Sequence, residues 1–159
     1  MQLKKFFFTV ILALLALMLP RSGTLAQATQ AQTQRFGAGW IDLPAGYKFE
    51  HVAGPDFDVD YIIPDDAQLS KATTMLGVYT GFAPPFRPPA KDVKIRSGRF
   101  GARKVNWHIW KTVAENKTIY HREALIRPKD SWVSHLFIAA PDMQRMRELM
   151  GILESYRLR

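Results

Sequence analysis

KVNWHIWKTVAENKTIYHREALI, Lys104 to Ile126, decides how this chain folds. Two runs rich in β-branched and aromatic residues flank the short polar segment AENK, which is the pattern of a β-hairpin. A two-residue or a four-residue connection centred on Glu115 and Asn116 gives one register. Val113 then stands opposite Thr118, Trp107 opposite Ala124, and Val105 opposite Ile126. Alternation assigns Val105, Trp107, Ile109 and Val113 to a dry face. It sends His108, His121 and Glu123 to the other face, with His108 opposite Glu123 and Trp110 opposite His121.

Working outward, most of the remaining chain also reads as strands. SWVSHLFIAA is apolar on both sides, so it belongs inside the sheet. TTMLGVYTGFA suits a central strand, whereas PPFRPPAK forms a loop because its prolines remove donors and fix φ. VKIRSGRFGARKV is interrupted by Gly98 and Gly101, where a bend or bulge is expected. Upstream, GWIDLP is a short strand closed by Pro44, and AGYKFEHVAG continues after a turn. In GPDFDVDYIIPDD, Phe57, Val59, Tyr61 and Ile63 alternate with Asp56, Asp58 and Asp60, predicting one dry and one wet face. The three aspartates do not make a helix–loop–helix calcium loop, because Tyr61 and Ala67 occupy the positions that need glycine and a carboxylate.

After Pro141, expected as the first helical residue, Met143, Met146, Met150 and Leu153 recur at three- and four-residue spacing, joined by Leu149 and Tyr156. The chain is therefore α+β, a mainly antiparallel β-sheet packed against a C-terminal amphipathic helix.

The N-terminus reads as an export signal. A basic MQLKK precedes an apolar run, Phe6 to Leu19, that suits a signal-peptide core and is shorter than a spanning helix. Cleavage is expected after Ala28, with Ala26 as the second choice and an uncleaved anchor as the bland rival. Residues 1–28 are then signal peptide, 29–35 a flexible leader, and 36–159 a single α+β domain in the periplasm or outside the cell. Lys4, Lys5 and Arg21 leave with the signal, which lowers the formal charge from +8 to +5. The chain has no cysteine, so disulfides, thiol catalysis and zinc–thiolate sites are excluded. A basic exported protein suits an acidic protein, a cell-wall polymer or an anionic lipid surface, and export argues against nucleic acid.

IDLPAGYKFE, LGVYTGF, WKTVAENKTIYHREALI and the closing MRELMGILESYRLR together resemble, in element order, small exported domains of the PsbP-like α/β group. That group contains extrinsic photosystem proteins, bacterial periplasmic proteins and secretion-associated chaperones. The resemblance implies a non-enzymatic binding or assembly role.

Two sets of residues carry the functional readings. Lys91, Lys94, Arg96, Arg99, Arg103 and Lys104 concentrate positive charge, and Tyr79, Phe82 and Phe86 lie in or beside the Pro-rich loop. Aromatics beside arginines favour protein contacts. The expected function is a non-catalytic binding, assembly or inhibitor protein that uses Tyr79, Phe82, Phe86, Arg96, Arg99, Arg103 and Lys104 and needs no cofactor. The bland alternative is aromatics packed on the sheet beside a solvated, charged edge. The rival from another class is a metal-binding protein or metal-dependent enzyme using His108, His121 and Glu123. His135, in an apolar strand, is expected to be a core histidine. No serine lies in a G-x-S-x-G turn, and GRFGAR lacks the following helix that a phosphate loop needs.

Overall fold

The computed structural model of the chain describes residues 31–114, 116–127 and 132–158. The expected signal peptide lies outside the described residues. Among those residues there are nine strands, β1 (Gln32–Phe36), β2 (Gly39–Leu43), β3 (Tyr47–Ala53), β4 (Phe57–Pro64), β5 (Met75–Gly81), β6 (Lys94–Phe100), β7 (Arg103–Ala114), β8 (Lys117–Ile126) and β9 (Val133–Ala140). One α-helix, α1 (Met143–Glu154), follows them. β1 and β2 form a separate hairpin, and the other strands make one seven-stranded sheet in the order β3-β4-β5-β9-β8-β7-β6. Every neighbouring pair is antiparallel. The fold class read from the sequence is the fold observed.

The β7–β8 hairpin has the expected register, with His108 opposite Glu123, Trp110 opposite His121 and Val113 opposite Thr118. Asn116, at φ 61°, supplies the left-handed residue of the turn. Trp107 and Val105 are buried, but Val113 lies at the hairpin tip and is exposed rather than dry. β9 is interior, between β5 and β8, and β5 is buried along nearly its whole length. Each carries apolar residues on both faces because both faces are covered.

One face of the large sheet holds the main core. Ile62, Leu76, Leu136 and Ile138 meet Met146, Leu149, Ile152 and Leu153 of α1, while Phe36 and Ile41 of the small hairpin close the layer. Asp142 caps the helix by accepting the Arg145 N–H at 2.8 Å. Pro141 therefore precedes the cap instead of opening the helix, and Met143 is exposed.

Three further expectations are corrected. The leader does not run free to residue 35, because Gln32, Thr33, Gln34 and Arg35 pair with β2. Gly101, at φ 54°, lies in a full turn joining β6 to β7, with Phe100 opposite Arg103, and not in a bend within one strand. The aspartate face of β4 is not wholly wet, since Asp60 is only 8% exposed. Asp58, Asp60 and Ile62 share the side of the sheet that the small hairpin and helix cover.

The chain end locks onto this layer. Trp40 and Arg157 exchange backbone hydrogen bonds at 2.9 Å each. The Arg157 guanidinium donates to both Asp42 carboxylate oxygens, at 2.8 and 2.9 Å. That contact, followed by the Thr33 hydroxyl, holds the Asp42 carboxyl below its usual range.

Candidate functional site

The residues expected to form one contact surface are distributed over three places. The first is the sheet edge. β6 ends the seven-stranded sheet, and five of its seven residues are exposed. Lys94, Arg96 and Arg99 are among them, and Ile95 is 61% exposed. Lys104 stands opposite Arg99 on β7. The Arg99 guanidinium donates to the Ala102 carbonyl at 3.3 Å. Arg96 also acts on a neighbour further in: burial first, then the Arg96 charge, lowers the Arg122 guanidinium from its usual value. Arg122 in turn lies over the Trp107 indole, 4.9 Å from its centroid.

The second place is the sheet face opposite the helix. Tyr79 is buried there and stacks on Phe57 at 5.6 Å, so it is not available to a partner. Phe86 packs edge-on against His108 at 5.1 Å and His135 at 5.3 Å, pinning the Pro-rich loop to the sheet. His135 is a core histidine, as expected, and its Nε2–H donates to Glu123 Oε2 at 2.8 Å.

This wiring separates the three proposed metal ligands. Glu123 is engaged by His135, and His108 by the Phe86 ring. His121 stacks on Trp110 at 5.1 Å and shares a hydrogen bond with Thr112 Oγ1 at 2.9 Å. Among the described residues, no group of three His, Asp or Glu side chains is arranged to hold a metal ion. The proximity that the hairpin register predicted is real, but the side chains turn to nearer partners.

The third place was not visible in the sequence. On the helix side, beside the turn of the β1–β2 hairpin, two adjoining cavities of about 470 and 560 Å³ share Gly37, Ala38, Thr80 and Trp132 as lining. The first is walled by Val78, Phe100, Ile126, Tyr156 and Leu158, with Arg103 and Ser134 as polar members. The second holds Arg35, Phe49, His51, Asp58 and Asp60. Asp60 Oδ2 accepts the Gly37 N–H at 2.7 Å, and its Oδ1 accepts from His51 Nδ1 at 2.7 Å. His51 Nε2 lies 3.7 Å from Asp58. Phe82, 68% exposed, rests against Trp132 at 5.3 Å, where the end of β5 meets the start of β9. Arg103 thus belongs to this trough and not to the β6 edge.

The Asp60–His51 pair orients an imidazole, yet no serine, threonine or lysine is hydrogen-bonded to His51 as a nucleophile among the described residues. Nor is any described helix long and apolar enough to cross a membrane. No protein-family model matches the chain, and no curated protein matches it.

Proposed function

We propose that the chain is an exported, non-catalytic binding protein that adds an acidic, extended segment of a partner protein to its open edge strand, β6. The carrying observation is that β6 is a terminal strand of the sheet with five of its seven residues exposed and three cations among them. An edge strand offers unpaired N–H and C=O groups, and β-strand addition uses them for affinity while side chains set specificity. Carboxylates on one face of an incoming strand would reach Lys94 and Arg96, and carboxylates on its other face Arg99 and Lys104, in charge-assisted hydrogen bonds. Ile95 would give one apolar contact between them. The Pro-rich loop delivers the chain to β6, and Phe86 fixes that loop against His108 and His135, so the edge is held in place before binding. The resemblance in element order to PsbP-like exported domains, read from the sequence, points to the same class of role.

A peptide of alternating glutamate and valine, titrated by NMR into the domain at low and high salt, tests the reading. Binding should perturb β6 first, weaken as salt rises, and fall about tenfold or more in Arg96→Glu/Arg99→Glu, since the peptide then meets like charge. A lysine–valine peptide should not bind. Equal binding of both peptides, or perturbation confined to other strands, would remove the basis for the proposal.

A further inference from the structure

We infer that the helix-side trough is a binding site for a small amphipathic carboxylic acid, with its carboxylate on Arg103 and its apolar body along Val78, Ile126 and Tyr156. The cavity of about 470 Å³ lies within the range of roughly 300–1,000 Å³ that small-molecule sites occupy. Its walls are apolar and rigid. Phe100 and Tyr156 stack at 3.9 Å with 21° between their planes, and both are buried. Val78 is buried in the sheet below. Burying an apolar chain against such walls is favourable in proportion to the area removed from water.

The polar members give the ligand its charge and its direction. Arg103 is exposed at the start of β7 and has no ion pair among the described residues. A guanidinium beside an apolar cavity recognises a carboxylate by paired N–H donors. The adjoining cavity carries Asp58 and Asp60, which repel an anion, together with Arg35 and His51. Arg103 and those aspartates stand on β7 and β4, four strand spacings or about 19 Å apart across the sheet. The acid end is directed by Arg103, the one cation among the residues that line the first cavity. Thr80 Oγ1 is buried without a hydrogen-bond partner among the described residues, at the wall common to both cavities.

The probe is decanoate, titrated into the mature protein by calorimetry, with decylamine and decanol as controls and the Trp132 indole followed by NMR. Decanoate should bind one to one and shift the Trp132 indole signal, while decylamine should not. Arg103→Gln, at an exposed position that leaves the fold intact, should weaken decanoate about tenfold or more. Trp132→Ala should weaken decanoate and decanol alike. Arg96→Glu/Arg99→Glu should leave decanoate binding unchanged, which separates this site from the β6 edge. No saturable decanoate binding, equal binding of decylamine, or binding indifferent to Arg103→Gln would overturn the inference. So would loss of binding on reversing the β6 charges alone.

Discussion

Replacing Asp60 by alanine should loosen the attachment of the N-terminal hairpin to the sheet. Asp60 is 8% exposed and its two carboxylate oxygens serve different elements. One accepts the Gly37 N–H at 2.7 Å, across 23 residues of sequence, and the other accepts from His51 Nδ1 at 2.7 Å. The alanine variant removes both bonds and leaves the Gly37 N–H unsatisfied. A net hydrogen bond contributes about 0.5–1.5 kcal/mol, more when one partner is charged, and a stranded buried group costs about 1–3 kcal/mol. His51 is half-exposed and recovers water, so its share is small. Gly37 is only half-buried beside the trough, so the stranding cost replaces the net bond instead of adding to it, and the loss is about 1–3 kcal/mol. Urea unfolding followed by tryptophan fluorescence would show it as a lower midpoint at unchanged slope. Asp60→Asn, which keeps an acceptor for Gly37, should lose less than half as much. A loss under about 0.5 kcal/mol for the alanine variant, with the Gly37 amide still protected from exchange, would refute the reasoning.

Other changes have expected outcomes of their own. Gly98→Ala would place a Cβ 2.7 Å from the ring of Trp107, which is fully buried, so urea unfolding should show a loss of roughly 1–3 kcal/mol from overpacking. Leu149→Ala, emptying a fully buried position under α1, should cost roughly 2–5 kcal/mol in the same assay. Burial lowers the His121 imidazole below its usual value, with Glu123 partly opposing. Below its unfolded pKa of 6.5 the unfolded chain therefore binds the proton more readily, so this contribution is present above that value and declines as pH falls. Histidine NMR titration should find His121 below 6.5, and His121→Gln should flatten the stability profile between 6.5 and the folded pKa. A His121 midpoint above 6.5 would contradict the burial argument.

The hairpin and the helix were legible because their signals are local and long. Ten residues of alternation before AENK and nine after it admit one register, and the three- and four-residue spacing after Pro141 admits one buried stripe. β1 was not legible, because TQAQTQRF shows no apolar period. It is held by Thr33, Asp42 and Arg157, and Arg157 lies more than a hundred residues away. The Gly-x-Gly of FGAGW, set between Phe36 and Trp40, was the available turn signal. Alternation identified the aspartate face of β4, but it could not tell that the β1–β2 turn would cover Asp60. The three metal candidates share a face as read, yet side-chain choice depended on His135, Phe86 and Thr112, which no hairpin argument supplies. Trp132 joins Phe82 only because β5 pairs with β9.

Hydrogen exchange at the outward-pointing amides of β6 tests the central claim most directly. In the free domain these amides lack a ladder partner and should exchange quickly, while those facing β7 are protected. Saturating glutamate–valine peptide should slow the outward set by about tenfold or more, because each gains a backbone acceptor. Unchanged exchange there, with the peptide bound, would contradict strand addition and leave β6 as a charged edge that keeps other chains away.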